Sequence, residues 1–219
     1  MKKFLTVVPL QPVDWKNGAV VSDMLKEGVY EPVGNPALEY GATRFPIIPV
    51  INAYAEAGES IEVLAVLMGN GKPALHHLKQ LEDEIDALKS QKGFECEIKR
   101  VPVNYAGDVG TMVQVFRSLL DYFDDGDKLY ACMTYGNKPI PIAEFMAINY
   151  AYRVMKDVLI GCLVYGEMDH STKPSALKIF DITALIHLDE TVRLLADSGA
   201  RDPLSIIDGL LELSKGGAD

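Results

Sequence analysis

The run Cys132-Met133-Thr134-Tyr135-Gly136-Asn137-Lys138-Pro139-Ile140-Pro141 concentrates the residues best suited to chemistry in this sequence. An apolar, strand-like stretch runs out into Thr, Tyr, Gly, Asn and Lys and then directly into helical sequence. Gly136 permits a sharp turn, a proline at 139 or 141 suits a first helical turn, and a helix start presents unpaired N–H donors. Lys138 adds a mobile positive charge. Tyr135 and Asn137 can stack on a base or hydrogen-bond to its edge. These are the groups that a ligand made of phosphate and base requires. The plain alternative is a strand-to-helix turn with incidental polar residues.

A second candidate is Gly69-Asn70-Gly71-Lys72-Pro73-Ala74, which fits Gly-x-Gly-x-x-Ala, a variant of the dinucleotide fingerprint. Two glycines let backbone approach a pyrophosphate, and the following helix start favours negative charge. Its placement argues against NAD(P): it does not follow the first strand, and the next strand ends near Lys99 and Arg100 where an acidic residue is wanted. A tight turn is the simpler reading, with NAD(P) binding the least favoured function.

Signatures of other chemistries are missing. There is no Gly-x-Ser-x-Gly, no His-Glu-x-x-His and no Gly-x-x-x-x-Gly-Lys-Ser/Thr, which argues against a conventional esterase, zinc protease or NTPase. His76, His77, His170 and His187 have no metal spacing, and neighbours such as His76 and His77 point in different directions on a helix. Cys96, Cys132 and Cys162 are far apart and odd in number, so they read as small buried hydrophobes. The acidic turn 124–127 is too short for a calcium loop and reads as a solvated turn. No metal and no cofactor are expected.

The elements that must hold these loops follow from periodicity. Residues 4–8 and 61–68 are apolar runs of strand length, with further strands expected at 95–103, 128–134, 158–165 and 177–181. Helices are expected at about 43–57 (capped by Thr43), 72–91, 109–123, 139–155 and 183–197, with a last amphipathic segment at 203–214. Residues 29–40 look like two short extended pieces around a Gly-Asn turn. The alternation predicts an α/β fold: a doubly wound, mainly parallel Rossmann-like sheet with helices on both faces and a small β-hairpin insertion. Ligands of such sheets bind beyond the strands' carboxyl ends, which points to loops 9–18, 69–73, 104–108, 134–141 and 166–174.

Composition sets the bounds. With 219 residues, 48% hydrophobic and 24% charged, the chain suits one large core. Residues 1–200 are expected to form one domain, and 201–219 a C-terminal helix with a linker-like tail. That ending suits a complete chain or a domain cut from a longer one. The net charge of −10 without a basic stripe argues against duplex nucleic acid but leaves room for a small phosphorylated ligand. No apolar run reaches the roughly 18 residues of a membrane helix, so no membrane partner is expected and a cytoplasmic location is. Between Ile140 and Met155 only Glu144, Asn149 and Arg153 break an apolar or aromatic sequence. Two faces of that helix should therefore be covered, one by the sheet and one by a second copy of the chain.

The run Thr134 to Pro141 with its apolar helix, the strand Leu159 to Gly166, and Ile179-Phe180-Asp181-Ile182-Thr183 together resemble the CARF domain, the CRISPR-associated Rossmann fold, in its Csx1/Csm6-like branch. That family typically carries Asp, a hydrophobic residue, then Thr-His-Gly-Phe-Arg-Ser-hydrophobic-Pro. Thr134, Gly136 and Pro141 match, and Lys138 keeps the charge of the arginine. Cys132 replaces the Asp, Tyr135 the His and Asn137 the aromatic. Tyr165-Gly166, Asp181 with Thr183, and Thr43-Arg44-Phe45 match further landmarks. The likeness is strongest over about 130–197.

The resemblance implies a homodimer that binds a cyclic oligoadenylate, the second messenger of type III CRISPR antiviral defence, across its two-fold axis. Loops 9–18 and 134–138 would line the site by the family's placement. Gln11, Trp15, Tyr135 and Asn137 would meet adenine and ribose, and Lys138 with the helix start would meet phosphate. Pro9, Leu10, Gly69, Asn70, Thr134 and Gly136 complete the expected ligand-binding set. Related domains feed an attached effector, which would be fused or missing after residue 219. The chain would then be a sensor, or else a metal-independent ring nuclease that cleaves its own ligand through the 2′-hydroxyl, with Lys138 stabilising the phosphorane.

Overall fold

The computed structural model describes all residues except 11–13, 15, 18, 20–24, 69–71, 104–108, 170–175, 200 and 217–219. The chain packs as two units, Met1–Thr183 and Ala184–Asp219.

In the first unit, β1 (Lys2–Val8) and β3 (Ser60–Met68) are buried along almost their whole length, as strands covered on both faces must be. β1 pairs in parallel with β3 on one side and with β5 (Lys128–Cys132) on the other. β3 pairs with β4 (Glu95–Val103) and β5 with β6 (Leu159–Asp169), again in parallel. Beyond β6 lie β7 (Ala176–Asp181) and the edge strand β2 (Tyr30–Val33), so the order is β2-β7-β6-β5-β1-β3-β4. The chain grows outward from β1 through β3 and β4, then returns to lay β5 and β6 on β1's other flank. The reversal falls between β1 and β5, where the diverging connections leave a crevice at the strands' carboxyl ends.

Helices α1 (Ile47–Tyr54) and α2 (Lys72–Lys92) cover one face, meeting alternate strand residues such as Phe4, Val8, Val63 and Ala65. Leu5, Val7, Leu64 and Val66 are equally buried and point the opposite way. That second face is the side of α3 (Val109–Leu120) and α4 (Pro139–Val154). On α2, Leu78, Leu81, Ile85 and Leu88 are buried as their spacing predicts, while Leu75 stands exposed. Phe4, Tyr130 and Tyr54 form an aromatic pile, with centroids 4.6 and 5.0 Å apart.

Three expectations need correction. The hairpin expected at 29–40 does not form. Asn35 accepts a hydrogen bond from the Ala37 N–H and, with Pro36, sets a 3-10 turn over Pro36–Leu38, so no second strand can start. β2 instead joins β7 in parallel, and the antiparallel pair is β6 with β7. Thr43 does not cap α1. It bridges Gly28 and bonds Glu84, and the helix begins at Ile47 behind Pro46. Asp127, placed by sequence in a solvated turn, is 1% exposed. It lies 2.8 Å from the buried Lys3 ammonium, which Asp124 also meets at 2.6 Å. Burial opposes the Lys3 charge, but hydrogen bonds to Asp124 and Asp127 outweigh it and raise its pKa.

The second unit is a helical hairpin of α5 (Ala184–Ser198) and α6 (Pro203–Gly216). A groove of about 380 Å³ between its helices is lined by Val192, Leu195, Leu204 and Ile207 among others. Among the described residues, no helix is long and apolar enough to cross a membrane. The same residues hold no group of three or more metal-ligating side chains.

Candidate functional site

A cavity of about 280 Å³ opens where the sheet reverses. β1 contributes Pro9 and Leu10 as it exits, and β5 contributes Thr134 and Tyr135 as it does. β6, which outruns β5, supplies Gly166, Glu167 and Met168. His77 comes from α2, and Leu25, Lys26 and Tyr30 from the approach to β2. At this size the cavity sits at the small end of ligand pockets.

Thr134 is fixed from two sides. Its Oγ1 accepts from the Gly166 N–H at 2.7 Å and lies 3.0 Å from Cys132 Sγ. Gly166 must be glycine here, because a Cβ would lie 2.5 Å from Pro46 Cγ and 3.2 Å from Thr134 Oγ1. Burial pushes the Cys132 thiol up to about 11, so it is an uncharged neighbour. Tyr135 is held as firmly. Its hydroxyl donates to the Arg44 carbonyl at 2.7 Å, and its ring meets Phe45 edge-on at 6.5 Å. Burial lifts the phenols of Tyr135 and Tyr30 above their ordinary values. Tyr135 is thus a wall of the cavity with its hydroxyl engaged.

The turn beyond departs from the expected arrangement. Gly136 adopts φ +99°, a conformation costly for any other residue, and its Cβ position is 3.2 Å from Val7. Asn137 and Lys138 are exposed and do not line the cavity. The helix start is a poorer anion site than its position suggests. Pro139 and Pro141 have no N–H, and the Ile140 N–H donates to the Asn137 carbonyl at 2.8 Å. Among the described residues, the cation that lines the cavity is Lys26, with Glu167 as the anion. Neither was singled out from sequence, since an isolated Lys or Glu carries no pattern. Gln11, Trp15, Gly69 and Asn70 lie outside the described residues.

The landmark Asp181 with Thr183 has a structural task. Asp181 accepts from Asn35 at 2.8 Å and from the Thr183 N–H at 2.9 Å, while Thr183 accepts from the Leu163 N–H at 2.8 Å. Burial works against the Asp181 charge, but these hydrogen bonds, that from Thr183 foremost, hold its pKa below the usual value. β6, which supplies Gly166 to Met168, and β7 are thereby tied to the turn after β2.

Beside the cavity the 134–139 turn borders a second feature. Ile142, Met146, Tyr150 and Val154, each four residues apart, are all exposed on α4. With Met112, Val113, Phe116, Pro139 and Ala143 the first two of these line an open apolar groove of about 450 Å³. Val113 faces this groove, whereas Val115 and Leu119 carry α3's burial. On α4's inner side Glu144 is fully buried, and neither carboxyl oxygen has a hydrogen-bond partner among the described residues. Burial pushes its pKa up to about 8.

No family model matches the chain. Over 141 residues, 62% of this chain, it is 22% identical to the CRISPR-associated protein MJ1674 of Methanocaldococcus jannaschii. The match covers 22% of that protein, so this chain spans well under two thirds of its relative's length.

Proposed function

We propose that this chain is the ligand-sensing domain of a CRISPR-associated system and binds a cyclic oligoadenylate across a homodimer two-fold axis. The observation that carries the reading is the cavity at the β1–β5 reversal, where a Rossmann-like sheet accepts nucleotides. Two landmarks of the CARF resemblance, Thr134 and Gly166, fall on its walls, with Tyr135, which stands where the family has His, beside them. The similarity to a CRISPR-associated protein supports the same setting.

The cavity's size gives the reading its form. One protomer takes one nucleoside unit, Lys26 draws its phosphate, and the rest of the ring extends over the 136–138 turn toward the partner copy. The exposed stripe from Ile142 to Val154 supplies an apolar face for that partner, beside the turn that must be shared. A ring of identical nucleotides matches an isologous pair of half-sites.

The test is incubation of the purified chain with tri-, tetra- and hexa-adenylate rings, followed by thermal melting and product analysis. A sensor is stabilised by one ring size and leaves it intact. Conversion of the ring to linear products would make the chain a ring nuclease instead. Stabilisation by NAD(P) and by no ring would refute both.

A further inference from the structure

We infer that His77 is a positioning residue that sets the wall of the cavity through the carbonyl of Pro9. The inference rests on reading the cavity as the ligand site. Three observations carry it. His77 is fully enclosed, yet it belongs to the cavity's lining together with Pro9 and Leu10. Its Nδ1 lies 2.8 Å from the Pro9 carbonyl oxygen. The parallel pairing of β1 with β3 ends at Val8 opposite Leu67.

A carbonyl oxygen can only accept, so this contact requires the proton on Nδ1 and fixes the tautomer. Pro9 is the first residue beyond the ladder and has no N–H with which to extend it. Its carbonyl is therefore steered by a side chain from another element. Enclosed behind that wall, the imidazole acts by holding Pro9 and Leu10 in place. His77 also sits in the second turn of α2, the helix that follows loop 69–71. Helix α2 is thus joined to the exit of β1 through one side chain. Nothing in the spacing of the histidines signals this, because the partner is a backbone atom 68 residues away.

The test compares His77→Asn, whose amide N–H reaches the place of Nδ1, with His77→Gln, whose amide extends to the place of Nε2, and with His77→Phe, which has no donor. The nitrogen-15 spectrum of ligand-free protein should show the proton on Nδ1. The Leu10 amide signal should stay in place in His77→Asn and move in His77→Phe and His77→Gln. Affinity for the ring that wild type binds should be close to wild type in His77→Asn and about tenfold weaker in the other two, the value of one hydrogen bond. A proton on Nε2 alone, or Leu10 signals alike in all three variants, would overturn the inference. If wild type binds no ring, the functional reading fails, and the tautomer and Leu10 signals still decide the role of His77.

Discussion

Thr134 Oγ1 accepts the Gly166 N–H at 2.7 Å, so the turn that ends β5 is fastened to β6 at the mouth of the cavity. Both residues line that cavity, and both belong to landmarks found in the sequence. Thr134→Val keeps the shape and removes the acceptor, leaving a backbone donor unsatisfied. It should lower stability by about 1–2 kcal/mol, read by urea denaturation. Ring affinity should fall with it, and Thr134→Ser should restore both.

Phosphate contact, expected from sequence at Lys138 and the helix start, falls to Lys26 in the proposed function. Lys26 lines the cavity and Lys138 does not. Lys26→Ala should weaken ring binding about tenfold and flatten its dependence on salt, as loss of a charge-assisted contact does. Lys138→Ala should have the smaller effect. Calorimetric titration at two ionic strengths checks both.

Glu144 makes stability depend on pH. Its folded pKa of about 8 lies above its ordinary value of 4.5, so the folded state holds a proton that the unfolded state releases. The contribution is fully present below about 4.5 and is lost as pH rises through about 8. Glu144→Gln should remove this part of the slope between those limits, measured by denaturation at several pH values.

The stripe Ile142, Met146, Tyr150 and Val154 predicts self-association. Ile142→Asp places a charge on a face that must be desolvated. Sedimentation should show dimers of wild type and monomers of the variant, with the melting temperature little changed.

Much of the architecture was legible in sequence because strand and helix periods differ and the apolar runs are long. The run 61–68 reads as a doubly covered strand and forms one. The misreadings share a cause, which is that local signals lose to partners far along the chain. Thr43 looks like a cap but bonds Glu84, and Val29 to Tyr40 looks like a hairpin until β7 takes the strand. In the site, Thr134 was visible as part of the strand-to-helix run and Gly166 as a landmark of the resemblance, and Pro9, Leu10 and Tyr135 of the expected set also line the cavity. His77, Lys26 and Glu167 were not visible, since only the fold brings them together.

The most direct measurement is calorimetric stoichiometry with cyclic tri-, tetra- and hexa-adenylate. Saturation is expected at one ring per two chains, with a single ring size preferred and binding lost in Ile142→Asp. One ring bound per chain, with affinity unchanged in that monomeric variant, would contradict this.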